Sequence, residues 1–501
     1  MPHSLALSTD RHVAGLMWPM ITLVLAIAFG GGVTWQVAGA SSFTVQREVQ
    51  LVALLFVIAL AGWRMRGAML SSLMSVSSLK KWLCIAGILM VSFSALLVPL
   101  TGVALLELAY LLMLAAAAML IGLSARCLPR LGWAILGGLI TLLLLVYAVL
   151  ALDHLQLVWA FANRHDFGPG FANVRFFADV AAGVMPLAIL YTVARRRPFV
   201  VAALLCVLPL AFWWWLLWVS ESRAALLGLF AGCVVALVLF GRTARWSIGM
   251  LSFSAVIGLV GWWFFNPLGG AGAEQALTRD ITSSSGRLAL WSDALRYSLE
   301  HFPLGRGPMG FAGDGILRSA SAHSFFLNTA AEWGLPLALM LLVLLFYGCW
   351  MIACRARTMS EKDKPVYSCL VISFVAVVVN AQFSGSHITP LSSLVLVLAI
   401  GLVFGYQPEG ALPLQVTSGA VPLASSRPPP LRATLVWAGL MLVYAYLLYA
   451  GLELYWLSVK SSLTCLQELG RATYYPRFWA QGRLECMQIV SPDHWLFWSW
   501  R

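Results

Sequence analysis

One polar segment, Asn266 to Glu332, interrupts an otherwise apolar chain and carries five arginines together with His323. Arginine is the side chain best shaped to hold phosphate oxygens two at a time. A neutral imidazole can take a proton from a hydroxyl. Cations beside a titratable ring, in a chain that otherwise reads as lipid-buried helix, mark where chemistry is to be sought. Two further arginines open apolar runs elsewhere, Arg223 in SESRAALLGL and Arg175 in FANVRFF. A charge adjoining hydrocarbon is expensive unless it faces an internal polar cavity, so both are expected level with His323. Their convergence argues for a diphosphate ligand. Glu221 is the simpler partner for Arg223, or lines the same cavity.

The segment has elements of its own that must position these groups. After Ser283-Ser284-Ser285-Gly286, a cluster able to cap a helix, RLALWSDALRYSLE places Leu288, Trp291, Leu295 and Leu299 on one helical face. The spacing predicts an amphipathic helix lying on the membrane surface or roofing a cavity. Arg287 falls in its first turn, where the helix dipole disfavours a cation unless an anion is bound or the side chain reaches out to headgroups. In HFPLGRGPMGF, Gly305-Arg306-Gly307 offers either backbone N–H groups and a guanidinium to a phosphate or only a tight turn. Then SAHSFFLNTAAEWGLP runs from a candidate cap at Ser321 into a long apolar helix. His323 is expected in its first turn, where the positive end of the dipole keeps the imidazole neutral. A histidine hydrogen-bonded at the headgroup boundary is the plainer reading.

His387, in FSGSHITP, sits in a short connection between two spans, where it lines the same cavity or has a structural role. Of nine cysteines, Cys465 and Cys486 lie in the C-terminal tail. Outside the cytoplasm they form either a disulfide or two buried thiols. No CxxC or HExxH pattern occurs, so no dedicated metal site is expected.

These groups sit in a frame set by composition. The chain of 501 residues is 61% hydrophobic and 10% charged, against about 25% charged for a soluble domain. It reads as an all-α polytopic membrane protein. A net charge of +12 does not indicate nucleic acid, because the basic residues lie in small groups between apolar runs. Thirteen candidate spans emerge, among them a short one near 49–63, a pair near 223–240 and 247–265, and the last near 433–457. Lys and Arg clusters such as Arg195-Arg196-Arg197 and Arg355 to Lys364 put the N-terminus inside and the 266–332 segment outside. The expected organisation is N-terminal spans over 1–265, the large helical outer loop over 266–332, spans over 333–406, a Pro-rich cytoplasmic linker over 407–432, a last span over 433–457 and an outer tail over 458–501.

SRAALLGL at 222–229, SGRLALWSDALRYSLEHFPLGRGPMGF at 285–311 and HSFFLNTAAEWGLP at 323–336 resemble, in that order and spacing, the bacterial O-antigen ligase and polymerase superfamily, which includes related O-linked protein oligosaccharyltransferases. The likeness covers roughly residues 170–400. It implies a GT-C-like glycosyltransferase bundle in the inner membrane, a periplasmic active site, a glycan donor on undecaprenyl pyrophosphate, and transfer without metal or other cofactor. Carried over, Arg223 and Arg287 bind the pyrophosphate, His323 acts on the acceptor hydroxyl, and Arg175 matches a further arginine in members with an N-x-R-F-F stretch. Ser324 stands where the family commonly has Asn, and the tail from Lys460 onward has no counterpart.

Three acceptors fit such an inverting transferase: lipid A core, a Ser or Thr of a secreted protein such as a pilin, and the growing glycan. Ligation to lipid A core leads, since no large soluble C-terminal domain is present. A transporter of lipid-linked glycans is the rival of another class. It calls for charge along a continuous path, whereas here only Glu107, Asp179 and Glu453 lie within or near spans.

Overall fold

The computed structural model describes residues 17–31, 42–74, 78–97, 100–158, 169–194, 200–265, 286–311, 319–408, 430–467, 477–479 and 484–498. Among these there is no strand, and the protein is an all-α polytopic membrane protein. Helices α1 (Met17–Gly31), α2 (Ser42–Phe56), α3 (Gly62–Met74), α4 (Ser78–Leu96), α5 (Thr101–Arg126) and α6 (Arg130–Val158) come first. Then follow α7 (Val174–Ala188), α8 (Leu190–Val193), α9 (Val200–Ser220), α10 (Arg223–Phe240) and α11 (Arg245–Phe264). The polar segment supplies α12 (Arg287–Glu300) and α13 (Phe325–Trp333). The chain ends with α14 (Leu335–Thr358), α15 (Lys364–Asn380), α16 (Pro390–Gly405), α17 (Leu431–Gln467) and α18 (Glu485–Val490).

Eight helical runs among the described residues are long and apolar enough to cross a bilayer by length and composition, so the expected thirteen are not all matched by long helices. The predicted spans 223–240 and 247–265 are α10 and α11, contiguous over the 42 residues Arg223–Phe264 but separated by a 3-10 turn at Gly241–Ala244, with Phe240 and Ser247 on its two sides both meeting the start of α15, at Tyr367 and Ser368. Four other apolar helices, Met17–Gly31, Ile85–Leu96, Lys364–Asn380 and Pro390–Gly405, have 10–17 residues. The short span expected at 49–63 is instead part of a 33-residue rod, Ser42–Met74, with α2 joined to α3 through a π-helical turn at Val57–Ala61. Helix α17, which holds the expected last span, runs beyond 457, to Gln467.

Burial separates a centre from a periphery. The run Val174–Val193 is 89% buried, whereas α14 and the span in α17 are 22% buried, as expected of helices that face lipid. The central helix α7 packs on α15, α16 and α9. Helix α10 lies antiparallel on α15 at very close range: a Cβ on Gly228 would meet Ala376 O at 2.5 Å, and one on Gly232 would meet Ile372 O at 2.6 Å. That register carries Arg223, at the start of α10, to the level of Ala381 at the end of α15. The starts of α2, α5, α7, α10 and α16 and the ends of α15 and α17 thereby meet at one end of the bundle.

The C-terminal tail is part of this end. Phe478 and Trp479 are buried, and Trp479 Nε1 donates to Gly451 O in α17 at 2.8 Å. Further on, Thr101 N, the first residue of α5, donates to Trp498 O at 2.9 Å.

Candidate active site

His323 precedes its helix rather than lying in the first turn. Ser324 is the N-cap of α13, not Ser321, and His323 has φ +51, a left-handed conformation that costs a residue with a Cβ about 1 kcal/mol or more. Its surroundings hold it there. Ala322 N donates to Asn328 Oδ1 at 3.1 Å, and Ala322 O accepts from Trp291 Nε1 of α12 at 3.1 Å. Phe325 N donates to Ala381 O at 2.9 Å. The expected uninterrupted run into the long apolar helix is broken at Gly334, φ +97.

Asn328 is fixed in turn. Its Nδ2 donates to Glu332 Oε2 at 2.9 Å, and Glu332 Oε1 accepts from Phe311 N at 3.2 Å. Arg477 of the tail completes the carboxylate's shell through Nη1 to Oε1 at 2.6 Å and Nη2 to Oε2 at 2.9 Å. The same Nη2 reaches Glu107 Oε1 of α5 at 3.3 Å. Arg477 and Glu332 are 2% and 1% exposed, so this pair is desolvated and depends on its geometry. The two carboxylates hold Arg477 firmly protonated against the cost of burial.

The imidazole of His323 is half-buried and contacts Ser319 Oγ through Nε2 at 3.1 Å. Burial first, then the positive charges of Arg287 and Arg175, lower its pKa to about 4. The ring is neutral at physiological pH, and the cause is desolvation with two guanidinium groups rather than a position in the first turn of a helix. Arg287 opens α12 behind Gly286, φ +78, which occupies the N-cap position. The Ser283–Ser285 cluster expected to cap it lies outside the described residues. Arg175 opens α7 behind Asn173, whose side chain accepts from Arg175 N at 2.9 Å.

The same two arginines lie within electrostatic reach of Asp179, the buried acid one turn further along α7. Asp179 Oδ1 accepts from Asn380 Nδ2 at 2.8 Å and from Ser384 Oγ at 2.9 Å. Arg175, Arg287, His323 and Asp179 therefore form one cluster. Arg223 sits at the same end by the register of α10 on α15, and Glu221 occupies the preceding turn with φ +48.

The Gly305-Arg306-Gly307 loop is a structural turn and not an open cradle. Gly305 N donates to His301 O at 2.9 Å, Arg306 N to Ala331 O at 2.8 Å and Gly307 N to Glu332 O at 2.8 Å. No N–H of these three is left for a phosphate. The Arg306 guanidinium lies 4.6 Å from the Tyr297 ring centroid, a cation–π geometry. Gly334 seals the loop to α13: a Cβ there would fall 1.9 Å from Pro303 O.

Of the two placements expected for helix α12, its exposure pattern fits the membrane surface. Its buried residues are Ala294, Tyr297 and Ser298, while Leu288, Leu295 and Leu299 are 64%, 48% and 59% exposed. Only Trp291 of the predicted apolar face turns inward. Exposed leucines are what a helix presents to a bilayer surface.

Two arginines that sequence reasoning passed over organise the rest. Arg47 of α2 is 1% exposed. Its Nε donates to Phe478 O and its Nη2 to Ile388 O, both at 2.8 Å, clamping the tail and the His387 connection together. Arg477 is the second. Nothing in the types or spacing of neighbouring residues signals either. His387 itself packs edge-on to Phe325, ring centroids 5.7 Å apart. Burial first, then the charges of Arg477 and His323, lower its pKa to about 3. The backbones at Cys465 and Cys486 are helical, but their side chains, and with them the disulfide expectation, lie outside the described residues.

No curated protein matches the chain. Residues 208–342, from α9 through α12 and α13 into α14, match the family model described as O-antigen ligase, within the stretch where the sequence likeness was found, and this match supports membership of the O-antigen ligase and polymerase superfamily.

Proposed function

We propose that the protein transfers a glycan from an undecaprenyl-pyrophosphate carrier to an acceptor hydroxyl at the periplasmic face of the inner membrane, with lipid A core as the leading acceptor. One observation carries this reading: Arg175 and Arg287, from separate segments, both act on His323 and on Asp179. Two guanidinium groups beside a neutral imidazole suit a substrate that is anionic at one end and a weak acid at the other.

In this reading Arg175 and Arg287, with Arg223 at the same end of the bundle, hold the pyrophosphate. Arg306, stacked on Tyr297, is a further cation for the carrier's outer phosphate. The acceptor oxygen attacks the anomeric carbon, the bond from that carbon to the pyrophosphate oxygen breaks, and the electron pair leaves with the pyrophosphate. The arginines stabilise this developing charge, which is electrostatic catalysis without a metal. The acceptor proton passes to His323. In the structure its Nε2 already faces a hydroxyl, that of Ser319, and a substrate hydroxyl in that place would be held the same way. Attack opposite the leaving group inverts the anomeric configuration.

A pilin-type protein acceptor, a growing glycan acceptor and a transporter of lipid-linked glycans are the competing readings. Purified protein is to be supplied with lipid-linked glycan extracted from membranes and, in separate reactions, with rough lipopolysaccharide, a pilin, or more lipid-linked glycan. A new glycosidic bond to rough lipopolysaccharide is the expected result. Bond formation only with pilin or only with glycan reassigns the acceptor, and none with any acceptor refutes transfer and leaves the transporter.

A further inference from the structure

Buried side-chain polar atoms in native proteins nearly always have a hydrogen-bond partner, and an orphan is costly. Four orphans belong to residues of the candidate site: both ring nitrogens of His387, Nε of Arg477, which pairs with Glu332, and Oδ1 of Asn380, which donates through Nδ2 to Asp179. Four others, on Arg66, Trp214, Trp215 and Ser254, complete the set among the described residues. Around His323 the remaining polar groups are well satisfied, as the Arg477–Glu332–Asn328 chain shows. An imidazole with two bare nitrogens in such surroundings stands out.

Arg175 and Arg287 act on His323, and Arg477 acts on His387. His387 lies beside the His323 segment, its ring packed on Phe325, two residues after His323, with centroids 5.7 Å apart. Its connection is held from both sides, by Arg47 Nη2 on Ile388 O at 2.8 Å and by Ser384 Oγ on Asp179 at 2.9 Å. A displacement that expels pyrophosphate toward the arginines brings the acceptor in from the opposite side. We propose that His387 is a substrate-contacting residue of an acceptor subsite, where it binds a hydroxyl neighbouring the one that His323 deprotonates.

A neutral imidazole has one N–H donor and one bare acceptor, which matches a hydroxyl, itself donor and acceptor. It matches a carboxylate or phosphate poorly. His387 is half-buried, and a half-turn about Cβ–Cγ exchanges the positions of its nitrogens and carbons. The chemistry it selects is a polyhydroxylated acceptor. Arg477 Nε–H and Asn380 Oδ1 offer a further donor and a further acceptor at the margins of the same region.

This inference rests on the transfer reading, and its test separates the two. Purified wild type, His387→Phe and His387→Gln are assayed with lipid-linked glycan and with whichever acceptor the wild type uses. Phe keeps a ring against Phe325 and removes both hydrogen-bonding atoms, and Gln restores a donor and an acceptor. The expected result is a KM for acceptor raised at least tenfold in His387→Phe and partly recovered in His387→Gln, with KM for donor within twofold of wild type in both. Unchanged acceptor KM in His387→Phe, or equal rises for donor and acceptor, overturns the subsite. Should His387→Phe fail to accumulate, His387→Gln and His387→Ala decide: an acceptor KM in His387→Ala no higher than in His387→Gln overturns it. Absence of transfer by the wild type itself would refute the transfer reading, and the subsite with it.

Discussion

Arg477 and Glu332, 145 residues apart and both buried, share two parallel hydrogen bonds of 2.6 and 2.9 Å. Through Asn328 this pair is two hydrogen bonds from the peptide that precedes His323. The C-terminal tail is thus a strap across the candidate site.

Removing one partner of a buried ion pair leaves the other charge uncompensated, at a cost of about 3–5 kcal/mol. Arg477→Ala and Glu332→Ala are each expected to lower thermal stability in detergent strongly. The double variant should lose much less than the sum, because neither charge is then stranded. A double-mutant cycle on the unfolding transition checks this, and additive losses would show that the pair is not coupled.

How legible was this in the chain? His323, Arg287 and Arg175 were readable because their types are rare beside apolar runs and because local order, HSFFLNTAAEWGLP above all, carries them. Arg477 was not. A contact between residues 332 and 477 leaves no periodic trace, and the tail's surroundings carry no motif. For α12 the spacing left two placements open for a physical reason. Periodicity finds an apolar stripe but does not say whether core or lipid receives it, and here exposed Leu288, Leu295 and Leu299 oppose buried Ala294 and Tyr297. The helix start slipped from Ser321 to Ser324 because a left-handed residue, His323, intervenes, and conformation at one residue is not written in spacing.

Asn328 holds both Glu332 and the Ala322 peptide, so Asn328→Ala should displace His323 without removing it. Transfer is expected to fall about tenfold or more, the equivalent of about 1.4 kcal/mol or more in the barrier. Membrane abundance should stay near wild type, since Arg477 still pairs with Glu332. Initial rates normalised to protein amount give the answer, and a wild-type rate would disconnect Asn328 from His323.

The pKa of His323, lowered to about 4 by burial and by Arg287 and Arg175, has a direct consequence for pH dependence. The ring accepts a proton only while neutral, so activity is retained as pH falls through 6.5 and is lost near pH 4. In Arg287→Ala one depressing charge is gone, and the acid limb should move upward toward 6.5. The pH–rate profiles of the two proteins measure this. A limb that stays put or moves down would show that Arg287 does not act on His323.

Gly334 has φ +97, and a Cβ there would lie 1.9 Å from Pro303 O. No side-chain rotation relieves a backbone clash of that kind. Gly334→Ala is expected to destabilise by more than about 3 kcal/mol, with little protein recovered from membranes. Normal yield and unfolding temperature would contradict the packing of this loop on α13.

The most direct test of the account is transfer by His323→Ala, compared with wild type alongside the binding of sugar-free undecaprenyl pyrophosphate. Loss of a general base predicts a rate lower by about 10²–10⁴-fold, with carrier affinity unchanged because the arginines remain. Full transfer activity in His323→Ala at normal protein levels would contradict the central claim.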